Sequence, residues 1–228
     1  MSRLVPSCTA VPPPERNPMK RRFFARIAAA VLTVATLGLA PIVNAAEESP
    51  DAMIKRLSDD VMTSIKSDKA LQSGDMTRLM ALVDSKVMPN VDFQRMTSAA
   101  VGPSWRQATP EQQKRLQDEF KTLLIRTYSG ALQQVNDQVI TMKPQRGAAT
   151  DTELVVRTEV RGRGDPIELD YRMEKSPTGW KIYNLNVLGV WLVETYRSQF
   201  AQEISSKGID GLIATLAERN RTNASRKS

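Results

Sequence analysis

The sequence predicts an α+β domain in which helices pack on one face of a curved antiparallel sheet. Three observations support this class. Apolar residues recur at helical spacing over residues 52–135, alternate with polar residues over 138–187, and return to helical spacing up to residue 220. Segregation of strands from helices along a chain is typical of α+β architecture rather than of alternating α/β folds. We expect about four strands in the sheet.

The first 45 residues are predicted to be a leader outside the fold. A basic segment that begins near Met19 precedes an apolar stretch, Ile27–Ala40, and short side chains follow up to Ala45. This is the pattern of a secretory signal peptide cleaved after Ala45, with an uncleaved N-terminal anchor as the alternative and the start at Met1 or Met19 left open. We expect export, a single domain over residues 46–220, and a disordered tail over 221–228.

The amino-acid composition excludes several classes of catalytic and metal-binding site. The leader holds six Lys/Arg and one Asp/Glu, so the formal charge of +7 falls to +2 in the remaining chain, and charges of both signs alternate along it. This distribution argues against nucleic-acid binding. The only cysteine is Cys8 in the leader, and the chain has no histidine. The exported part therefore has no Cys or His nucleophile, no Ser-His-Asp triad and no imidazole or thiolate metal site.

Four helices are predicted before the strands. The first covers residues 52–72, and the second covers 76–89. A short third helix has Asp92 at its N-cap. The fourth and longest starts at Pro110, with Thr109 and Gln112 forming a capping box. Its apolar stripe is broader than one face, so it is covered on more than one side or lines an internal space.

Alternating segments predict the sheet. The segments "QVITMK", "TELVVRTEVR", "PIELDYRMEK" and "WKIYNLNV" follow one another, and the last three are joined by short turns, which implies antiparallel neighbours. One face is apolar and the other charged, so we expect only the apolar face to be covered. The tripeptide "RGD" at 163–165 is interpreted as a turn, and Glu168 with Asp170 as part of a solvated face rather than a catalytic pair.

Two features leave alternatives open. The chain has four tyrosines, which either line the rim of a pocket or are core residues with one hydrogen bond each. After Gly189 a helix is predicted up to Ser205, with a last helix from Ile209. Trp191 and Leu192, at the start of the first of these, either pack in the core or form a pocket wall.

Two long segments carry a resemblance to a known family. They read "VDFQRMTSAAVGPSWRQATPEQQKRLQDEFKTLLIRTYSGAL" and "WKIYNLNVLGVWLVETYRSQFAQEISSKGIDGLIATLAERN". The sequence resembles the MlaC family, periplasmic phospholipid-binding proteins of the Mla lipid-asymmetry pathway, also called toluene-tolerance auxiliary proteins. The resemblance extends over Ala52–Asn220. Trp191 departs from it, since a small polar residue is common there, and this leaves open whether Trp191 plugs, narrows or caps a mouth.

The resemblance implies a cone related to nuclear transport factor 2 (NTF2-like) with an added helical subdomain. It implies an apolar cavity for the acyl chains of a glycerophospholipid as cargo, with no catalysis, cofactor or metal. It also implies exchange with an inner-membrane ABC-type Mla complex and an outer-membrane lipoprotein–porin complex. We expect a monomer. The alternatives are an NTF2-like isomerase or dehydratase acting on a small apolar substrate, and a ligand-free module that binds a protein partner.

The expected lining of the cavity comes from the long helix, the inner sheet face and the helix after Gly189. These lipid-binding residues are Phe120, Leu124, Tyr128, Leu132, Val156, Leu169, Tyr171, Ile182, Val190, Val193 and Tyr196.

Overall fold

Six helices and five strands build the fold in the computed structural model, which describes residues 48–132, 138–144, 151–162 and 165–225. The predicted leader and the first two residues of the "RGD" tripeptide lie outside these ranges. The helices are α1 (Pro50–Ser67), α2 (Lys69–Gln72), α3 (Met76–Leu82), α4 (Phe93–Val101), α5 (Pro110–Leu132) and α6 (Leu192–Ser225). No helix of the described residues has the length and apolar character needed to cross a membrane.

The N-terminal helices are more divided than the sequence predicts. The expected helix over 52–72 is broken at Asp68, because its carboxylate accepts the backbone N–H groups of Ala70 and Leu71 (2.8 and 3.4 Å) and so caps a separate α2. After α3 the chain winds as a π-helical turn, Val83–Val87, and a 3₁₀ turn, Met88–Asn90. The predicted second helix therefore has three types of winding.

The predicted caps of α4 and α5 are confirmed. The Asp92 carboxylate accepts the backbone N–H of Arg95 at 2.8 Å. In the capping box, the Thr109 N–H donates to Oε1 of Gln112 (3.0 Å) and the Gln112 N–H donates to Oγ1 of Thr109 (3.2 Å). These reciprocal bonds satisfy donors that the first helical turn cannot pair internally.

A kink at Gly208, where φ is 71°, divides α6 into the two helices that the sequence predicts. The second of them continues past the predicted end at Asn220 to Ser225. Arg221 pairs with Glu218 one turn earlier, and the Ser225 hydroxyl donates to the carbonyl of Thr222. Such local pairs stabilise an exposed final turn.

The sheet is antiparallel throughout and confirms the predicted α+β class. Its strands, in spatial as in sequence order, are β1 (Val139–Met142), β2 (Glu153–Arg161), β3 (Ile167–Ser176), β4 (Gly179–Val187) and β5 (Val190–Trp191). The sheet is curved and does not close into a barrel. The prediction that the helix starts after Gly189 was wrong, because a two-residue turn returns the chain as β5 and α6 begins only at Leu192.

A β-bulge in β4 reverses the direction of its side chains. Arg172 lies opposite Asn184, whereas its neighbour Met173 lies opposite Ile182, so Tyr183 is an extra residue without a partner. Leu185 consequently shares the apolar inner face with Ile182, although three positions separate them. A regular strand would have placed them on opposite faces.

Three apolar clusters form the core. The helical cluster joins α4, α5 and α6 through residues such as Phe93, Phe120 and Phe200. The sheet cluster joins α1 to the inner sheet face and contains Met53, Ile54, Leu57, Val156, Met173 and Ile182. A third cluster joins the end of α1 to α2 and α3 through Ile65, Leu71, Leu79 and Leu82.

The prediction that the polar face stays uncovered was wrong at β4. Asn184 and Asn186, on that face, are only 2% and 6% exposed. Oδ1 of Asn184 accepts the backbone N–H of Val193 at 3.1 Å, and its amide donates to Glu194 at 2.7 Å. Trp191 precedes α6, but its side chain has no oxygen that could accept a hydrogen bond from the first helical turn. Asn184 on the neighbouring strand therefore supplies the cap.

Replacing Asn184 by alanine is expected to lower the free energy of unfolding by about 2–3 kcal/mol, since the Val193 N–H is left buried without an acceptor. Urea unfolding followed by circular dichroism measures the change. Thr178→Ala, in the exposed β3–β4 turn, is the control and should alter stability by less than about 0.5 kcal/mol. Equal midpoints for wild type and Asn184→Ala would contradict the capping role.

Candidate functional site

Five of the predicted site residues are buried in the core. Val156 and Ile182 belong to the sheet cluster, whereas Phe120, Val193 and Tyr196 belong to the helical cluster. The Phe120 ring packs edge-on against the Tyr196 ring at 4.9 Å between centroids. These side chains form two rigid walls, one on the sheet and one on the helices.

Four further predicted residues are half-buried: Leu124 and Tyr128 on α5, and Leu169 and Tyr171 on β3. In the sheet register Leu169 lies opposite Val187, and Tyr171 lies opposite Leu185. Both partners are also half-buried. We call these six residues the half-buried apolar group: Leu124, Tyr128, Leu169, Tyr171, Leu185 and Val187.

The half-buried apolar group comes from three elements: helix α5 and strands β3 and β4. Leu124 and Tyr128 pack against the helical cluster from α5, and Leu185 and Val187 pack against it from β4. Tyr171 packs against the sheet cluster. The group therefore lies where the helical wall and the sheet wall come together, and its members retain apolar surface that the core does not cover.

Leu185 and Val187 were missed by the sequence analysis. Simple alternation from Ile182 selects Asn184 and Asn186 for the inner face, and those residues are polar. Two asparagines on an otherwise apolar face were the available signal that the strand contains a bulge.

Two predicted site residues, Val190 and Leu132, belong to neither wall. The role of Trp191, which the sequence left open, is given by its contacts. Val190 lies on β5 rather than on a helix, opposite Val187, at the edge of the inner face. Leu132 ends α5, and its side chain is outside the described part of the structure. Trp191 faces the polar side opposite Asn186, and the guanidinium of Arg172 stacks on its ring with Cζ 4.0 Å from the centroid.

The four tyrosines lie in different environments: one is in the core, two belong to the half-buried apolar group, and one is on the polar face. Tyr196 is a core residue, and Tyr128 and Tyr171 belong to the half-buried apolar group. Tyr183, the bulged residue, lies on the polar face, where Arg95 covers its ring (3.8 Å) and Glu153 accepts its hydroxyl (3.3 Å). Burial raises the pKa of Tyr128, Tyr171 and Tyr196, partly opposed at Tyr171 by a hydrogen bond with Thr158.

The half-buried apolar group has no acid or base that titrates near neutrality. Raised tyrosine pKa values keep the hydroxyls of Tyr128 and Tyr171 protonated at neutral pH. On the polar face, Glu168 is exposed and accepts the Lys143 ammonium at 2.5 Å, as expected for a solvated surface. No cluster of ligands suited to a metal ion occurs in the described ranges. The arrangement suits non-directional apolar binding.

A separate open cleft of about 510 Å³ contains none of the predicted site residues. It is lined by Val91, Asp92, Phe93, Gln94, Gln117, Ser176, Pro177, Thr178 and Lys181. Its charged groups already have structural partners, since Asp92 caps α4 and the Lys181 ammonium donates to the carbonyl of Pro89 at 2.6 Å. We therefore take the half-buried apolar group, rather than this cleft, as the candidate site.

Comparison with known proteins gives consistent matches. The family model described as "MlaC protein" matches residues 55–218. The toluene tolerance protein ttg2D of Pseudomonas putida is 25% identical over 171 residues, which cover 75% of this chain and 80% of that protein. The intermembrane phospholipid transport system binding protein MlaC of Haemophilus influenzae is 22% identical over 177 residues, 76% of this chain and 83% of that protein.

A solved structure is similar over nearly its whole length. It is the phospholipid-binding protein from Ralstonia solanacearum in complex with a phospholipid. The two chains are 51% identical with a TM-score of 0.75, and the match covers 76% of this chain and 98% of that one.

Alkaline pH is expected to destabilise the protein partly through Tyr171. Its pKa is raised in the folded state, so folding favours the neutral phenol. The stability that the neutral Tyr171 phenol contributes is complete below its unfolded pKa of about 10. It is lost as the pH rises through the pKa of Tyr171 in the folded state. Urea midpoints for wild type and Tyr171→Phe at about pH 8 and about pH 11 measure it. The variant should lose less stability between the two pH values, and an equal loss would contradict the assignment.

Proposed function

The chain belongs to the MlaC family, as its motifs predicted, and from this membership we propose that it is a phospholipid carrier. The observation that carries the proposal is the half-buried apolar group, which offers uncovered apolar surface between two rigid walls. A phospholipid occupies the similar solved structure. We propose that acyl chains lie against this group, with the walls formed by residues such as Phe120, Val156 and Val193.

The energetics of lipid transfer favour an interior site over a surface groove. Moving a two-chain lipid from a bilayer into water exposes roughly 28 methylenes, which costs on the order of 20 kcal/mol. A carrier must replace most of this, so both chains need shelter. Apolar contact is non-directional, and chain identity should matter little. A head group left in water requires no dedicated ion pair.

We propose that the protein acts in the periplasm as a monomer. The predicted signal peptide supports export, and the Haemophilus influenzae relative is described as the binding protein of an intermembrane phospholipid transport system. The carrier would exchange cargo with an inner-membrane ABC-type Mla complex and an outer-membrane lipoprotein–porin complex. In that role it maintains outer-membrane lipid asymmetry.

The enzyme alternative has less support. An NTF2-like isomerase or dehydratase needs a carboxylate or another base within its apolar pocket. The half-buried apolar group contributes only Leu, Val and Tyr side chains. The relatives are named for binding, transport or tolerance rather than for a reaction. A module that binds only a protein partner would leave the apolar surface of this group without a ligand.

Mature protein purified without detergent is expected to carry glycerophospholipid at about one molecule per chain, because uncovered interior apolar surface retains its cargo in water. Native mass spectrometry with lipid extraction measures the load. Empty protein would favour the partner-binding module, and a different small molecule would favour the enzyme. Either result would contradict the carrier.

Leu124→Gln is expected to reduce the lipid load at least about threefold, because an amide buried against acyl chains lacks a hydrogen-bond partner. Val83→Gln is the matched control, since Val83 is also partly buried but packs against the third cluster. Lipid extraction from both variants, with Tm recorded for each, separates cargo loss from unfolding. A full load in folded Leu124→Gln would overturn the assignment of the site.

A further inference from the structure

The β4–β5 turn presents apolar side chains to water. The exposed large apolar residues of the described chain are Val139, Leu188 and Val190, at 63%, 62% and 49% exposure. Two of them, Leu188 and Val190, flank Gly189 in this turn. Single exposed apolar residues are ordinary, but a group of them at one place indicates a contact surface.

All three residues lie at the same end of the sheet. Val139, at the start of β1, lies opposite Arg161 at the end of β2. The start of β3 is fixed against the end of β4, where the Leu188 N–H donates to the carbonyl of Glu168 at 3.0 Å. Leu169 and Val187, of the half-buried apolar group, pair immediately beside this turn. Leu188 and Val190 therefore adjoin the proposed cargo site, whereas Val139 lies on β1, three strands away from β4.

The conformation of Leu188 is strained. Its φ is 53° and that of Gly189 is 83°, as a two-residue type I′ hairpin turn requires. Asn-Gly is the favoured pair in such turns, and leucine is disfavoured in the left-handed region. This residue is therefore unfavourable both for its backbone and for its exposure to water. Such a double disadvantage at one position points to function.

We propose that the β4–β5 turn inserts Leu188 and Val190 into the surface of a lipid bilayer and so holds the cargo site against the membrane during lipid exchange. This inference rests on the proposed carrier function. The small apolar area of the turn favours a lipid bilayer over a protein as its partner. A stable protein interface buries about 800 Å² on each side with matched shapes, far more than these side chains offer. Bilayer hydrocarbon requires apolar area alone.

The neighbouring charges are compatible with an anionic surface. The Lys143 ammonium lies 2.5 Å from Glu168 and 3.3 Å from Glu159, and Arg161 also pairs with Glu159. Glu168, which faces Leu188, and its cross-strand neighbour Glu159 are thus both paired with cations. Insertion of the turn therefore brings these two carboxylates to the lipid head groups as ion pairs.

Leu188→Asn tests the contact without a cost to folding. Asparagine suits the left-handed conformation, so the Tm should rise by about 3 °C. Transfer of lipid from protein-free vesicles of phosphatidylethanolamine and phosphatidylglycerol to emptied protein should slow about tenfold, because an apolar insertion is lost. Thr178→Asn, in the turn at the opposite end of the sheet, is the control and should transfer at the wild-type rate.

Co-sedimentation with the same vesicles gives a readout that does not depend on cargo. Weaker sedimentation of Leu188→Asn than of wild type supports the contact, even if the protein carries no phospholipid and the carrier proposal fails. Equal sedimentation and an equal transfer rate overturn the contact while leaving the carrier intact. Loss of exchange only with a protein donor or acceptor, and not with vesicles, also overturns it in favour of a protein partner.

Discussion

The extra residue in β4 is the local feature on which the arrangement of helices and site depends. By reversing the alternation at Tyr183, the bulge directs Leu185 and Val187 to the inner face and two asparagines to the polar face. One of these, Asn184, then caps α6 from outside its own segment. The same irregularity therefore fixes where α6 begins and supplies half of the β-strand residues in the half-buried apolar group.

The sheet is covered unevenly, and this unevenness is what makes a carrier physically reasonable. Helix α1 buries Val156, Met173 and Ile182 as an ordinary core. Toward the other end of the same face, Leu169 and Val187 stay half-buried. Covering that surface with further side chains would add stability at about 25 cal/mol per Å² of apolar surface buried. A protein that must accept and release apolar cargo keeps such surface for its ligand instead.

The sequence predicted regular elements well and local irregularities poorly. The Thr109 capping box and the strand alternation over β2 and β3 depend on residues close in sequence, and both were found. The strand β5 was missed because a strand of two residues is too short to show an alternating pattern. The partners of Trp191 were out of reach, since stacking on Arg172 requires the register of three strands. Residues of the core and residues of the proposed cargo site cannot be distinguished in the sequence, because both kinds of position require only apolar side chains.

Exchange of a lipid is limited by the apolar surface exposed at the highest point of the path, rather than by the stability of either end state. A carrier that released its cargo into water would expose nearly every methylene at once. In the proposed carrier, Leu188 would shorten that path, because it follows Val187 in the chain and lies next to the Leu169–Val187 pair of the half-buried apolar group. The strain at Leu188 would then have a physical explanation: a polar residue better suited to the turn, such as asparagine, would place polar surface beside the proposed cargo site.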